Sequence, residues 1–155
     1  MLAITVHQPY AHFLATGRKR VENRDWPPPA NLVGQWIAIH AGRETKHYAD
    51  DAAMIQAELG LDVPPLEDVA TGAVIAVAVL DRVVTTEHDA GYDEWYSGPY
   101  GWFLRDVVKI APVRCRGFQK LWRLRPVDLA LVRERYRATA RPNPPNSAAV
   151  AKGTT

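Results

Sequence analysis

The longest apolar run of this 155-residue chain, Ala73 to Leu80, constrains its fold more than any other feature. A helix needs about 20 apolar residues to span a bilayer, and this run is much shorter. A short apolar run that follows a turn residue such as Gly72 is typical of a buried strand. Because the segment from Gly72 to Val84 is apolar on both faces, we expect it to form a long strand at the centre of a sheet.

Strand and helix signals in the rest of the chain predict the α+β class. The strands cluster without regular helix alternation, which favours a small, mostly antiparallel β-barrel with peripheral helices over a doubly wound sheet. Further strands are predicted over Leu2–Val6, residues 18–25, Gln35–His40 and Tyr100–Val108, with one or two more in Val113–Arg116 and Gln119–Arg125. Helices are predicted between Pro9 and Gly17, over residues 43–59 and from Pro126 onward.

The chain length fits one domain, and a hydrophobic content of 47% is typical of a globular protein. We expect residues 1–125 to form the barrel domain and residues 126–139 to form a C-terminal helix. Residues 140–155 are rich in proline and small residues, and we expect them to form a disordered tail.

Cysteine and histidine usage bears on location and cofactors. Cys115 is the single cysteine, so no internal disulfide forms, and the N-terminus lacks a signal-peptide pattern. The sequence therefore predicts a cytoplasmic protein without a membrane partner. The five histidines do not form a compact metal motif, so we expect neither a zinc site nor another cofactor.

The net charge of +2 hides an uneven distribution along the chain. Residues 1–43 carry +3, residues 44–94 carry −10 and residues 95–155 carry +9. If the basic flanks meet in the fold, they form a polarised surface that attracts nucleic acid or phosphate. The alternative is that these blocks mix on folding and leave a weak field.

A short charged segment, Gly17–Arg24, alternates as a β-strand does. Alternation divides its side chains between two faces, with Lys19, Val21 and Asn23 on one and Arg20, Glu22 and Arg24 on the other. A carboxylate between two guanidinium groups must be either solvated or organised into a site. This segment is therefore the first candidate for function.

The chain contains five separated motifs: Val6-His7-Gln8-Pro9-Tyr10, Gly17-x-Lys19-x-x-Glu22-x-Arg24, Ile39-His40-Ala41, Gly98-Pro99-x-Gly101-Trp102, and Cys115-Arg116-Gly117 with Leu121-Trp122. Together they resemble those of ASCH-domain proteins (activating signal cointegrator homology), members of the PUA-like superfamily. The resemblance covers roughly residues 2–125 and implies a small β-barrel with a cleft beside the charged strand. It further implies binding of RNA or other nucleic acid, while some relatives are hydrolases of acylated cytidine and others are similar to ribonucleases.

The candidate ligand cleft combines this strand with neighbouring loop residues, and the expected ligand is RNA, single-stranded nucleic acid, a nucleoside or a nucleotide. Lys19 and Arg24 would hold phosphate or a base oxygen, while Glu22 would orient Arg24 and accept from a base amino group. The alternatives are a closed Glu22–Arg24 pair and a solvated lysine. The full set of predicted ligand-binding residues is Gln8, Lys19, Glu22, Arg24, His40, Ser97 and Tyr100.

Two of these residues also carry alternative roles. His40 ends an apolar strand, where it either faces the cleft or caps the strand through backbone hydrogen bonds. Ser97 is a weak candidate nucleophile because no base lies beside it in sequence. Of the five aromatic residues in the nearby segment, we expect one or two to reach ligand; they are Tyr92, Trp95, Tyr96, Tyr100 and Trp102.

The main rival hypothesis is an enzyme, either an amidohydrolase of a modified nucleoside or a weak nuclease. Its catalytic residues would be Lys19 and Glu22, with Glu22 activating water and Lys19 or Arg24 stabilising the oxyanion. The deacylating relatives resemble Gly-x-Lys-x-x-Thr-x-Arg, and this chain has Glu22 where they have a threonine nucleophile. A third hypothesis is an interaction module that uses the acidic segment 44–94 against a basic protein. The oligomeric state stays open.

Overall fold

The computed structural model describes residues 1–140, in which six strands and three α-helices form an α+β fold. The strands are β1 (Leu2–Val6), β2 (Val21–Arg24), β3 (Trp36–Ala41), β4 (Ala73–Val84), β5 (Tyr100–Arg114) and β6 (Leu121–Arg123). The helices are α1 (Tyr10–Ala15), α2 (Tyr48–Leu59) and α3 (Pro126–Ala140), with short 3₁₀ helices at Ala30–Leu32 and Leu66–Asp68. The predicted tail, apart from residue 140, lies outside the described residues.

All six strands belong to one mixed sheet that curls into a half-barrel. The strand order is β2-β5-β4-β3-β1-β6, and only the β1–β3 pairing is parallel. Strand β4 lies inside the sheet between β3 and β5 and is buried from Ala73 to Leu80. The predicted fold class and the central apolar strand are therefore confirmed.

Several predicted boundaries were wrong, each for a local reason. The strand predicted over residues 18–25 begins only at Val21, because the backbone N–H of Lys19 still donates to the carbonyl of Phe13 at the end of α1. The strands predicted over Tyr100–Val108 and Val113–Arg116 are one strand, β5. Helix α2 begins at Tyr48 instead of residue 43.

Opposite faces of the sheet pack against different helices. On one face, Leu14 of α1 packs with Ile39 and Trp102. On the other face, Val132 of α3 packs with Val77. This division follows from strand alternation, since neighbouring residues such as Ala3 and Ile4 belong to different clusters.

A third apolar cluster joins β2, helices α1 and α2, and the β4–β5 connection, which together surround the cavity described below. Val21 of β2 packs with Phe13 of α1, Ile55 of α2 and Trp95 of the β4–β5 connection. All four side chains are buried. Because these contacts come from four separate segments, the cluster fixes how β2, the two helices and the connection lie around the cleft.

Candidate functional site

A cavity of about 510 Å³ opens between β2, helices α1 and α2, and the connection before β5. This volume is within the usual range for small-molecule sites. The polar and aromatic residues that line it include Thr5, His7, Gln8, Tyr10, Lys19, Glu22, Asn23, Arg24, Glu44, His47, Asp51, Glu58, Glu94, Trp95, Tyr96 and Ser97.

Three charged side chains of the Gly17–Arg24 segment meet on one wall of the cavity. The Lys19 Nζ lies 3.3 Å from Glu22 Oε2, and the Arg24 Nε lies 3.4 Å from Glu22 Oε1. The side chains of Lys19, Glu22 and Arg24 are only 4%, 11% and 18% exposed. One carboxylate therefore bridges two largely buried cations, and we call these three residues the charged triad.

Lys19 reaches the triad because it lies outside the strand. Strict alternation had predicted that its side chain faces away from Glu22, and this was wrong. The strand ladder begins at Val21, and Gly17 with a φ of 77° turns the chain before it. Lys19 Nζ then donates to the Val21 carbonyl as well as to Glu22.

Both cations of the triad are held by oxygen atoms of the protein. Besides the Glu22 carboxylate, Lys19 binds the Val21 carbonyl, and the Arg24 Nη2 donates to the Thr5 carbonyl at 2.8 Å. The predicted alternative of a Glu22–Arg24 pair is thus present, but an open cavity lies beside it. The arrangement is closer to a polar wall with fixed charges than to a pair of free phosphate receptors.

Gln8 lines the cavity, but its amide also joins two backbone segments. Its Oε1 accepts from the His12 N–H at 2.9 Å, and its Nε2 donates to the Ala70 carbonyl at 2.9 Å. The residue is 2% exposed. Gln8 therefore positions the start of α1 against the segment before β4, and little of its amide group is exposed to solvent.

Ser97 lines the cavity, whereas Tyr100 and His40 do not. Tyr100 is the first residue of β5, where it pairs with Arg24 across the ladder and packs against the core. His40 is 1% exposed. Two of the seven predicted ligand-binding residues, Tyr100 and His40, therefore lie outside the cavity.

His40 serves a structural hydrogen-bond chain behind the sheet. Its Nε2 lies 2.9 Å from the Cys115 carbonyl, which can only accept, so Nε2 carries the proton. Its Nδ1 then accepts from the Thr5 hydroxyl at 3.3 Å, and that oxygen accepts from the Trp122 Nε1 at 3.1 Å. Burial lowers the pKa of His40 below its usual value, which favours this neutral form.

Asn23 is a positioning residue that the sequence analysis missed. Its Nδ2 donates to the Trp95 carbonyl at 2.8 Å, while its Oδ1 accepts from the N–H groups of Ser97 and Gly98. These three bonds fasten the β4–β5 connection to β2. Nothing in the local sequence indicated them, because the partners are more than 70 residues apart.

Two of the five predicted stacking aromatics, Trp95 and Tyr96, line the cavity. Tyr92 is 72% exposed outside it, and Trp102 is fully buried in the core. A further aromatic, Tyr10, lines the cavity from α1, and the Lys19 Nζ lies 6.0 Å from the ring centroids of both Tyr10 and Trp95. The cavity thus has aromatic surface next to the charged triad.

The acidic middle segment contributes to the cavity, whereas the sequence analysis had considered it only as an interaction surface for a basic protein. Glu44, Asp51, Glu58 and Glu94 all line it. The signal was present in α2, where Asp51, Ile55 and Glu58 are spaced by four and three residues and so share a face. Because Ile55 is buried beside the cleft, acidic residues on its face point toward the same region.

Within residues 1–140, no three histidine, cysteine, aspartate or glutamate side chains form a group that could hold a metal ion. Within the same residues, no helix has the length and apolar character to cross a membrane.

Comparison with known proteins assigns the family. A model of the ASCH domain matches residues 4–114. The chain belongs to the ASCH domain family. This family is generally associated with RNA binding or hydrolase activity. The resemblance inferred from the five motifs is therefore confirmed.

Solved structures of ASCH proteins show the same fold. The ASCH protein from Zymomonas mobilis is 19% identical, with a TM-score of 0.56, and the match covers 86% of this chain and 93% of that one. Two single-substitution mutants of that protein match at 19% identity and a TM-score of 0.55, covering 86% of this chain and 94% and 96% of theirs. The predicted PUA-like fold is thus confirmed. The search of curated proteins found no match.

Proposed function

We propose that this ASCH domain binds one nucleoside-sized unit in the cleft, either a free nucleoside or a base presented by single-stranded RNA. The observation that carries the proposal is the charged triad, which lies in the wall of a 510 Å³ cavity with aromatic surface beside it. A few fixed polar groups in a concave, partly apolar cavity are the usual features of a small-molecule site.

The triad suits the edge of a base better than a phosphate group. Glu22 supplies carboxylate oxygens that accept from an exocyclic amino group, and Lys19 has three N–H donors, of which two are already used. Cytosine, whose N4 amino group donates and whose N3 and O2 atoms accept along one edge, matches this combination. Trp95, Tyr96 and Tyr10 offer rings for stacking or edge contacts.

Phosphate binding by Lys19 and Arg24, one of the roles expected from the sequence, has less support. The two cations share the single Glu22 carboxylate, and each also donates to a backbone carbonyl. Binding that depends on the base releases few counterions, so we expect affinity to change little with salt.

The proposal is tested by calorimetric titration with cytidine, uridine and a short single-stranded RNA, at low and high salt. We expect cytidine to bind and Glu22→Gln to weaken it by about tenfold, because one acceptor oxygen is replaced by a donor. The control is Glu134→Gln, which changes the same group at an exposed position of α3. If no nucleoside or RNA binds, or if both variants behave alike, the proposal fails.

A second candidate function is hydrolysis, favoured by the 3.3 Å contact between the Lys19 ammonium and the Glu22 carboxylate inside the cavity. Glu22 would take a proton from water, which attacks the acyl carbon of an N-acylated cytosine, and Lys19 or Arg24 would stabilise the oxyanion. The amide nitrogen would leave with a proton from the Glu22 carboxyl, so the products are a carboxylic acid and the free amine.

Incubation with N4-acetylcytidine and with RNA separates the two functions. Turnover that disappears in both Lys19→Ala and Glu22→Ala would support the enzyme. Absence of product with the wild-type protein, together with cytidine binding, would support binding alone.

A further inference from the structure

We propose that the acidic wall of the cleft, formed by Asp51 and Glu58 of α2 together with Glu44 and Glu94, selects nucleosides over phosphorylated nucleotides. The inference rests on the proposed function, because it specifies which nucleoside-sized ligands the same cavity accepts. It adds a charge rule that the triad alone does not supply.

The charges that line the cavity are unbalanced. Lys19 and Arg24 are the two cationic side chains of the lining, and they share Glu22. Four further carboxylates line the cavity, and within residues 1–140 none of them forms an ion pair with lysine or arginine. With histidines neutral, the lining carries a net charge of −3.

The negative field of this wall reaches the interior of the cleft. The Tyr10 hydroxyl donates to Asp51 Oδ1 at 3.1 Å. Burial, the charge and hydrogen bond of Asp51, and the charges of Glu22 and Glu58 together raise the pKa of Tyr10 to about 12. The carboxylates of α2 therefore disfavour a negative charge on the Tyr10 hydroxyl, and the Tyr10 ring lines the cavity.

A phosphorylated ligand meets this field directly. A phosphate group brings a charge of about −1.5 to −2 at neutral pH, and like charges at an interface are costly. The triad offsets this repulsion only in part, since Lys19 and Arg24 share Glu22 and leave a net charge of +1 against four further carboxylates. An uncharged nucleoside avoids this repulsion while keeping its contacts with the triad and the aromatic rings.

The binding test compares cytidine with cytidine 5′-monophosphate at low ionic strength. We expect cytidine to bind roughly tenfold more tightly than the monophosphate. The ratio of the two dissociation constants should approach one in high salt, because Glu44, Glu58 and Glu94 are exposed and salt screens their charges. In the double variant Asp51→Asn/Glu58→Gln the ratio should approach one, since two of the four carboxylates lose their charge. Asparagine at position 51 keeps an acceptor for Tyr10.

The matched control is Glu87→Gln/Glu134→Gln, which makes the same change in net charge at exposed positions outside the cavity. This variant should keep the wild-type ratio. Monophosphate binding as tight as nucleoside binding, or equal ratios in both double variants, would overturn the inference while leaving the proposed function intact.

A ligand-free measurement separates this inference from the proposed function. Cationic 4-amino-TEMPO and anionic 4-carboxy-TEMPO report local potential through paramagnetic broadening of amide signals. We expect the cationic nitroxide to broaden the signals of Asn23 and Tyr96 more strongly, and Asp51→Asn/Glu58→Gln to remove the difference. Equal broadening by both nitroxides overturns the charge rule. The expected broadening without binding of any nucleoside or RNA supports the negative potential of the acidic wall and refutes the proposed function.

Discussion

The charged triad predicts an asymmetry between two nearly isosteric substitutions, Glu22→Gln and Lys19→Met. Glu22→Gln removes the negative charge that two largely buried cations share. Lys19→Met removes one cation and leaves the Glu22–Arg24 pair balanced. The carboxylate should therefore contribute more to stability than the ammonium, although the two are partners in the same contact.

The magnitude follows from burial and from the partners that remain. Breaking a buried ion pair by removing one member costs about 3–5 kcal/mol, because the other charge stays buried without compensation. Glutamine keeps an acceptor oxygen, and Arg24 is 18% exposed, so that water partly solvates its charge. For Glu22→Gln we therefore expect a loss at the lower end of this range, about 3 kcal/mol of the free energy of unfolding. Lys19→Met loses two hydrogen bonds, one to the Glu22 carboxylate and one to the Val21 carbonyl, which together contribute about 2 kcal/mol.

Urea unfolding at pH 7, followed by circular dichroism, measures both free energies of unfolding. The double variant Lys19→Met/Glu22→Gln completes a thermodynamic cycle. It should cost less than the sum of the single variants, by about 1–2 kcal/mol, because Lys19→Met removes one of the cations that Glu22→Gln leaves unpaired. Glu134→Gln, at an exposed site, should change stability by less than about 0.5 kcal/mol.

Two results would refute this reasoning. One is a cost of Lys19→Met equal to or larger than that of Glu22→Gln. The other is additivity in the cycle, which would mean that Lys19 and Glu22 act independently and that water in the cleft screens the pair. An altered urea m value in any variant would show a change in the denatured or native state, and that variant would be compared by its melting temperature.

Three further predictions concern the region behind the sheet. Burial lowers the pKa of His40, so below about pH 6.5 the unfolded chain binds more protons than the folded protein. The free energy of unfolding should therefore fall as the pH drops below about 6.5, and level off below the pKa of His40 in the folded protein. Urea midpoints across this range should fall less steeply in His40→Asn than in the exposed control His88→Asn. Gly117→Ala should cost about 1–3 kcal/mol by thermal melting, because a Cβ at this position would lie 2.7 Å from Thr5 Oγ1 and even closer to His40, and an unchanged melting temperature would contradict the packing. The Cys115 thiol is buried, which raises its pKa, so Ellman's reagent should react slowly with the folded protein and rapidly in urea.

The sequence predicted those elements whose signal is local. Strand β4 was predicted because its apolar run must be covered on both faces, and it is an interior strand. Strand β5 was wrongly divided between Val108 and Val113, a stretch that contains Pro112, and proline cannot donate to a ladder. In the structure the register shifts there, between the pairings of Ala76 with Lys109 and Val74 with Val113, so an irregular stretch contains the proline within one strand.

The candidate site was predicted in part, because motifs identify residues but not the direction of their side chains. The convergence of Glu22 and Arg24 follows from strand alternation, whereas the approach of Lys19 depends on a turn before the strand. His40 lies one residue before the end of β3, where the segment around Cys115 covers it through a contact that spans 75 residues. The role of Asp51 in the cavity likewise required the position of α2 relative to β2.

The geometry of the triad links the electrostatics of the cleft to its choice of ligand. A cation that binds phosphate must exchange water for phosphate oxygens, and Lys19 has already exchanged it for Glu22 and the Val21 carbonyl. Arg24 donates through Nη2 to the Thr5 carbonyl, while its Nε lies 3.4 Å from Glu22 and makes no hydrogen bond within residues 1–140. What remains toward the cavity is a set of fixed dipoles and unused donor and acceptor positions. Such a set rewards a ligand with complementary hydrogen-bonding edges and adds little for a ligand with bare charge. The acidic wall of the cleft adds to this effect, because its negative charges repel anionic ligands that the triad binds poorly.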